Sequence, residues 1–465
     1  MGRRPVTTTS VICSRPCRAG SARTFRRAAQ VSQEQGGTHG PLTGIRVIEF
    51  SQVVAGPSCG RVLAELGADV IKIEPPEGDP YRNTGTVVPN EGKRFQSLNL
   101  GKRSLSVDLS KPEGQAVVQR IAKTADVLVI NYRHGVADRL GISYDTLSKI
   151  NPALIYCRIT GFGVHSAAAT LPATDPMMQA YSGLMVAGGK VDADGLPESV
   201  SATAIADYTT GLGSAIAICA ALYARRDTGR GQLIDASLLR SALAVQDTNV
   251  MREPVYDSTQ RDPMVAALEA IRVRGGTYRE MLEKRQGMRS STMSLRFYSG
   301  AYQASDGVIM LGALTPNSRA SARRVLGITD DPTDRPVENA SDPAYLAGLQ
   351  RLHDQIATTI RGNTVHHWVD ALQAGGCPAA PVNFPELMSE DPIVQAEGLM
   401  VDVVNETTGP QRVVNTLFEM SDTPTAVHRA SPPLGGHTQD VLASSGFSEA
   451  EIAALLAAGT VHARV

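Results

Sequence analysis

From residue 41 onward the chain alternates short, unbroken apolar runs with stretches whose apolar residues recur at helical spacing. IRVIEF (45–50), ADVIKIE (68–74), SLSVDL (104–109), DVLVI (126–130) and LIYCRI (154–159) have the length and β-branched content of buried strands. Between them RVLAELG (61–67), 112–123 and 143–150 read as helices, with SQVVAGPSCG (51–60) as a turn before the first. Such alternation predicts a mainly parallel α/β sheet, whose ligands lie beyond the carboxyl ends of the strands. The first turn holds no GxGxxG, which argues against a nicotinamide or flavin dinucleotide.

The longest patterned stretch, SATAIADYTTGLGSAIAICAAL (201–222), carries Ile205, Leu212, Ile216, Cys219 and Leu222 at mixed helical spacings. Asp207 sits at its head, and no other charge follows until Arg225. A lone acid there has two readings. Its carboxylate caps the free N–H groups of the first turn, or the helix dipole keeps it ionised in a cleft as a nucleophile.

The texture changes at about residue 255. Charge rises through Arg272, Arg274, Arg279, Glu280, Glu283, Lys284, Arg285 and Arg289, and GMRSSTMSLRFYSGA (287–301) carries turn and strand signals. With GVIMLGAL (307–314) and a Pro- and Asp-rich loop over 330–343, this predicts a small α+β domain. Beyond it 346–374 reads as helical, and 449–458 as a short amphipathic helix. The expected organisation is a leader over 1–40, a large domain over 41–254, a small domain over 255–345 and a returning segment over 346–465.

The chain has 465 residues, 42% of them hydrophobic, and a net charge of −1. That is ample for packed cores, and the balance points to neither nucleic acid nor an anionic membrane surface. Any anionic ligand must therefore be met by a local cluster. Lys72, Lys102, Arg103, Arg133, Arg139 and Arg158 stand near the ends of the predicted strands, where together they could form a phosphate-binding rim. Six cysteines without a CxxC pattern, and the adjacent His366 and His367, predict neither a disulfide framework nor a metal site. The first forty residues are rich in Arg, Ser, Thr and Ala, with Glu34 as the first acid. This is the composition of an organellar transit peptide, which would direct the protein to the mitochondrial matrix or another organelle. A disordered tail from an upstream start codon fits equally, and leaves a cytoplasmic protein. The apolar run 211–223 is short of the ~20 residues a membrane span needs, so no membrane is expected.

Ordered blocks over nearly all of 41–461 resemble the class III CoA-transferase family, which holds formyl-CoA transferase, carnitine CoA-transferase and α-methylacyl-CoA racemase. They are GIRVIEFSQVVAGPSCGRVLAELGADVIKIEPPEGD, NLGKRSLSVDLSKPEG, ADVLVINYRHGVADRLGISYDTLSKINPALIYCRITGFG, DPMMQAYSGLM, RRDTGRGQLIDASL, GGCPAAPVN, DPIVQAEGLMV and PPLGGHTQDVL.

The resemblance implies that Asp207 is the catalytic aspartate. It also implies that CoA lies along strand ends carrying Val54, Ala55, Lys72, Val107, Asp108, Leu109, Ser110, Asn131, Tyr132, Arg133 and Arg139. The implied fold is a Rossmann-like large domain with a smaller one, in an interlocked homodimer. No cofactor is implied beyond a CoA thioester as substrate, exchanged with a small carboxylic acid. Two departures narrow this. GMRSSTMSLRFYSGA lacks the Gly-rich loop of formyl-CoA transferase, which argues against oxalate and formate. Ala173-Thr174-Asp175 stands where the family's racemases carry a histidine, and threonine is no base near neutral pH. Asp175 itself reads as a turn acid. The alternatives are a racemase-type isomerase on the same scaffold and a catalytically silent CoA-binding protein.

Overall fold

The computed structural model describes residues 40–201, 203–289, 297–334 and 342–464. Residues 1–39 of the leader, 290–296 of GMRSSTMSLRFYSGA and 335–341 of the Pro- and Asp-rich segment lie outside them, and so do the readings made there. The chain divides into two compact units. The first takes in residues up to Leu184, Ser199–Asp247 and Gly398–Val465, and the second takes in Met185–Glu198 and Thr248–Glu397.

The first unit is built on strands β1 (Arg46–Phe50), β2 (Asp69–Glu74), β3 (Arg103–Val107), β4 (Val127–Ile130), β5 (Ile155–Thr160) and β6 (Leu233–Ser237). They lie parallel in the order β3-β2-β1-β4-β5-β6, the doubly wound arrangement expected from the runs. Alternate strand residues face opposite layers. Val47, Val70, Val127 and Cys157 pack under helices α1 (Ala55–Glu65) and α5 (Ile205–Thr228). Ile48, Ile71, Leu128 and Tyr156 pack under α3 (Pro112–Ala122). The remaining helices that matter below are α2 (Lys93–Leu98), α4 (Asp175–Tyr181) and α6 (Leu238–Ala244).

Helix α1 begins at Ala55, inside the stretch read as a turn. Gly56, Pro57 and Gly60 look like breakers but serve the helix. Pro57 is its third residue, where the missing N–H has no intrahelical partner to lose. A Cβ at Gly60 would collide with the buried Glu49 carboxylate. The α1–α5 crossing is close because Gly211 faces Ser58 and the Ala55 carbonyl, where a Cβ would not fit. By length and composition alone the 24-residue α5 could cross a membrane, but half of its most apolar window is buried inside the fold, as in a core helix.

The second unit is α+β, as expected, with β7 (Ala301–Gln303), β8 (Val308–Leu311) and β9 (Ala379–Pro381) in an antiparallel sheet. The expected border at residue 346 is corrected to Gly398. Pro343–Arg361 and Val365–Ala374 bury Leu349, Leu352, Ile356, Trp368 and Leu372 in the core of this second unit. The 346–374 stretch is two helices, because Thr364 caps a new one by accepting the His367 N–H. Only the segment from Gly398 joins the first unit. It supplies the hairpin β10 (Met400–Asn405) and β11 (Gly409–Val414), buries Val441, Leu442 and Ile452 on the α3 layer, and adds β12 (Val461–His462) antiparallel to β3.

Candidate active site

The parallel order turns between β1 and β4, the switch point at which open α/β sheets hold ligands. Asn131, just past β4, ties the two loops together there. Its Oδ1 accepts the Gln52 N–H at 2.9 Å and its Nδ2 donates to the Gln52 carbonyl at 2.8 Å. Val53 follows at φ 69°, a left-handed conformation uncommon for a β-branched residue. Helix α1 then opens with no side-chain cap, leaving its first N–H groups without intrahelical partners.

These loops border a cavity of about 1200 Å³ in the first unit. Its volume exceeds the ~300–1,000 Å³ of ordinary small-molecule sites. Ala55, Val107, Asp108, Leu109, Ser110, Asn131, Tyr132 and Arg133 line it as expected, and so does Asp207.

Three expected contacts fall elsewhere. Lys72 is fully buried, 3.3 Å from Glu49 and 3.1 Å from Asp79, with its ammonium donating to the Ser51 carbonyl. It belongs to an ion network beneath α1 in which Lys102 also reaches Glu49 at 2.8 Å and Arg82 clasps Glu74 through two nitrogens, each at 2.7 Å. Burial opposes the Glu49 charge, but Lys102 and Lys72 outweigh it and hold the carboxyl below its ordinary range. Val54 is the buried N-cap of α1, and its neighbour Val53 lines the cavity instead. Arg139 is exposed and off the wall, while Val136 and Leu140 of the same turn line it.

The phosphate rim shrinks accordingly. Arg103 stands at the amino end of β3 paired with Asp69, and Arg158 pairs with Asp235. Of the six basic residues only Arg133 borders the cavity, next to His134.

At the other wall Asp207 lies in the first turn of α5, but it does not cap that helix. Asp175, the first residue of α4, does so from 32 positions away. Its Oδ1 accepts the Ala206 N–H at 2.6 Å and the Asp207 N–H at 3.2 Å. Its Oδ2 accepts from Gln179 Nε2 at 2.5 Å, and Gln179 Oε1 accepts the Val200 N–H. Asp175 is 4% exposed and Gln179 0%, so this is a buried brace rather than the expected turn acid. The Asp207 carboxylate consequently has no hydrogen-bond partner among the described residues and borders the cavity. Burial, then the neighbouring Asp175 charge, pushes its pKa up to about 7, against the pull of Arg94. Burial and the neighbouring acid thus work against the helix dipole, which on the second reading of the sequence keeps this carboxylate ionised.

An unpartnered carboxyl group in a large cleft, with the uncapped start of α1 and the basic Arg133 on the same wall, suits attack on an activated acyl carbonyl. The family model described as CoA-transferase family III matches residues 42–438. The chain belongs to that family. It is 34% identical over 417 residues to a succinate–glutarate CoA-transferase of Agrobacterium fabrum, covering 87% of this chain and 95% of the relative. It is 32% identical to the beta subunit of a succinyl-CoA–L-malate CoA-transferase of Chloroflexus aurantiacus, covering 86% and 93%. Among solved structures, a CaiB/BaiF family protein of Brucella suis superposes with a TM-score of 0.68 at 30% identity, over 88% of this chain and all of that one. This is a class III CoA-transferase, as the blocks around Asp207 imply.

Sequence reasoning missed Tyr81, Arg94 and the Glu74–Glu77 loop, which complete the cavity wall. The signal available was EPPEGDPYRN, a charged turn directly after β2.

Proposed function

We propose that the protein moves CoA from an acyl-CoA donor to a carboxylic acid through covalent intermediates on Asp207. The observation that carries this is the displaced cap: Asp175 satisfies the α5 terminus, leaving the Asp207 carboxylate unbonded in the cleft.

The Asp207 carboxylate attacks the thioester carbonyl, the C–S bond breaks, and a mixed anhydride and CoA thiolate result. The thiolate attacks the aspartyl carbonyl of the anhydride, releasing the donor acid and leaving Asp207 as its CoA thioester. An incoming carboxylate attacks that thioester, expelling the thiolate and forming a second anhydride. The thiolate then takes the acyl group, and Asp207 is restored as carboxylate. Each difficult exchange becomes two easier ones. Retaining the thiolate by its nucleotide arm along Val107–Ser110, Tyr132 and Arg133 supplies proximity, worth up to ~7–11 kcal/mol. The uncapped N–H groups of α1 are the donors nearest in kind to what each tetrahedral oxyanion needs.

The reading includes a homodimer. Phe384, Leu387 and Ile393 in the second unit, and Val404 and Leu417 in the first, are all more than 60% exposed, as surfaces awaiting a partner copy are. Light scattering should give twice the chain mass, and a monomer would remove this part.

The test is a pairwise exchange screen of short acyl-CoAs against carboxylic acids, read by mass. Asp207→Ala should abolish exchange while keeping the wild-type melting temperature. Undiminished exchange in the variant would refute the reading.

A further inference from the structure

Five carboxylic acids border the cavity, Glu74, Glu77, Asp108, Asp175 and Asp207, against two arginines, Arg94 and Arg133. Glu74 is neutralised by Arg82. Arg133 and His134 follow β4, at the end where the CoA arm is placed. Arg94 is different. It is the second residue of α2, and its guanidinium lies over the Tyr81 ring with 4.7 Å to the centroid. Among the described residues it has no carboxylate partner, although it is the cavity cation whose charge reaches Asp207. An acceptor anion approaching the Asp207 thioester meets the Asp175 carboxylate beside it, and Arg94 is a cavity cation that offsets that charge. Guanidinium is also the side chain whose planar fork matches a carboxylate bidentately, and stacking on Tyr81 limits the freedom it must lose on binding.

We propose that Arg94 pairs with the far carboxylate of a short dicarboxylate while the near carboxylate attacks the Asp207 thioester. This rests on the transferase reading above and adds the substrate class and the residue that selects it. A monocarboxylate leaves Arg94 unpartnered over Tyr81. A dicarboxylate places its second charge there, so discrimination comes from one charge-assisted contact.

The experiment lets two acids compete for one intermediate. Purified enzyme receives a panel of short acyl-CoA donors with equimolar succinate and butanoate, or glutarate and pentanoate, and the CoA products are measured by mass at early times. Both acids meet the same aspartyl-CoA, so their product ratio is independent of the donor and of any change in Asp207 ionisation. The wild type should favour the dicarboxylate. Arg94→Met should lower the ratio by about 10- to 100-fold. Arg94→Lys should restore part of it, since the charge stays and the fork is lost. Melting temperature establishes that the variants fold. A ratio unchanged in Arg94→Met, with exchange intact, overturns the inference and leaves the transferase reading standing. Absence of exchange in the wild type with every acid overturns both.

Discussion

At the scale of single residues, the chemistry depends on which of two aspartates does the capping. Asp175 and Asp207 each open a helix, and on sequence alone either could satisfy its own first turn. The structure gives the α5 terminus to Asp175 and leaves Asp207 unbonded. The attacking form is the carboxylate, and the free-site pKa is raised to about 7 by burial and by Asp175. With a raised pKa, the active form is scarce below 7 and complete above it. The value of kcat/KM for the donor should therefore rise roughly tenfold per pH unit below about 7 and level off above. Asp175→Asn removes the neighbouring charge while keeping an oxygen for the cap, so the acid limb should move to lower pH. A profile flat from pH 5 to 9, or a limb unmoved in Asp175→Asn, would contradict this assignment.

Legibility at this scale was uneven for a physical reason. Asp207 could be placed from the blocks around it, whereas its relation to Asp175 spans 32 residues and exists only in the fold. Lys72, Lys102 and Arg133 look alike as letters near strand ends. Lys72 and Lys102 are fully buried in the ion network under α1, and of the three only Arg133 meets the cavity.

At the scale of elements, the strands were legible because β1, β2 and β4 each carry buried aliphatic residues on both faces. Of the two charged letters in RVIEF, the fully buried Glu49 was the signal of something further. It sits under α1 with Lys72 and Lys102, and Gly60 leaves room for it. This network holds the β1 and β2 carboxyl ends at which the cavity begins, so its part in function is indirect. Lys72→Met should leave Glu49 and Asp79 with less compensation at full burial, at a cost of about 3–5 kcal/mol. A urea unfolding midpoint well below the wild type's, with KM for the acyl-CoA little changed in the folded fraction, is the expected result. An unaltered midpoint with weakened CoA binding would instead return Lys72 to the ligand.

At the scale of the whole molecule, the parallel order and its switch point place the ligand, and both follow from alternating strands and helices. The border at residue 346 did not follow. The stretch from 343 to 374 is helical in either assignment, and helical pattern does not say which core a helix joins. The segment from Gly398 is committed to the first unit by β12 against β3 and by Val441 and Leu442, contacts made some 350 residues along the chain. The central claim is that a CoA exchange passes through Asp207 itself. Enzyme incubated with acyl-CoA in the absence of acceptor, quenched in hydroxylamine and digested, should carry a hydroxamate on the peptide containing Asp207, and only when acyl-CoA was present. Exchange that proceeds while Asp207 stays unmodified, or a label confined to another residue, would contradict the account.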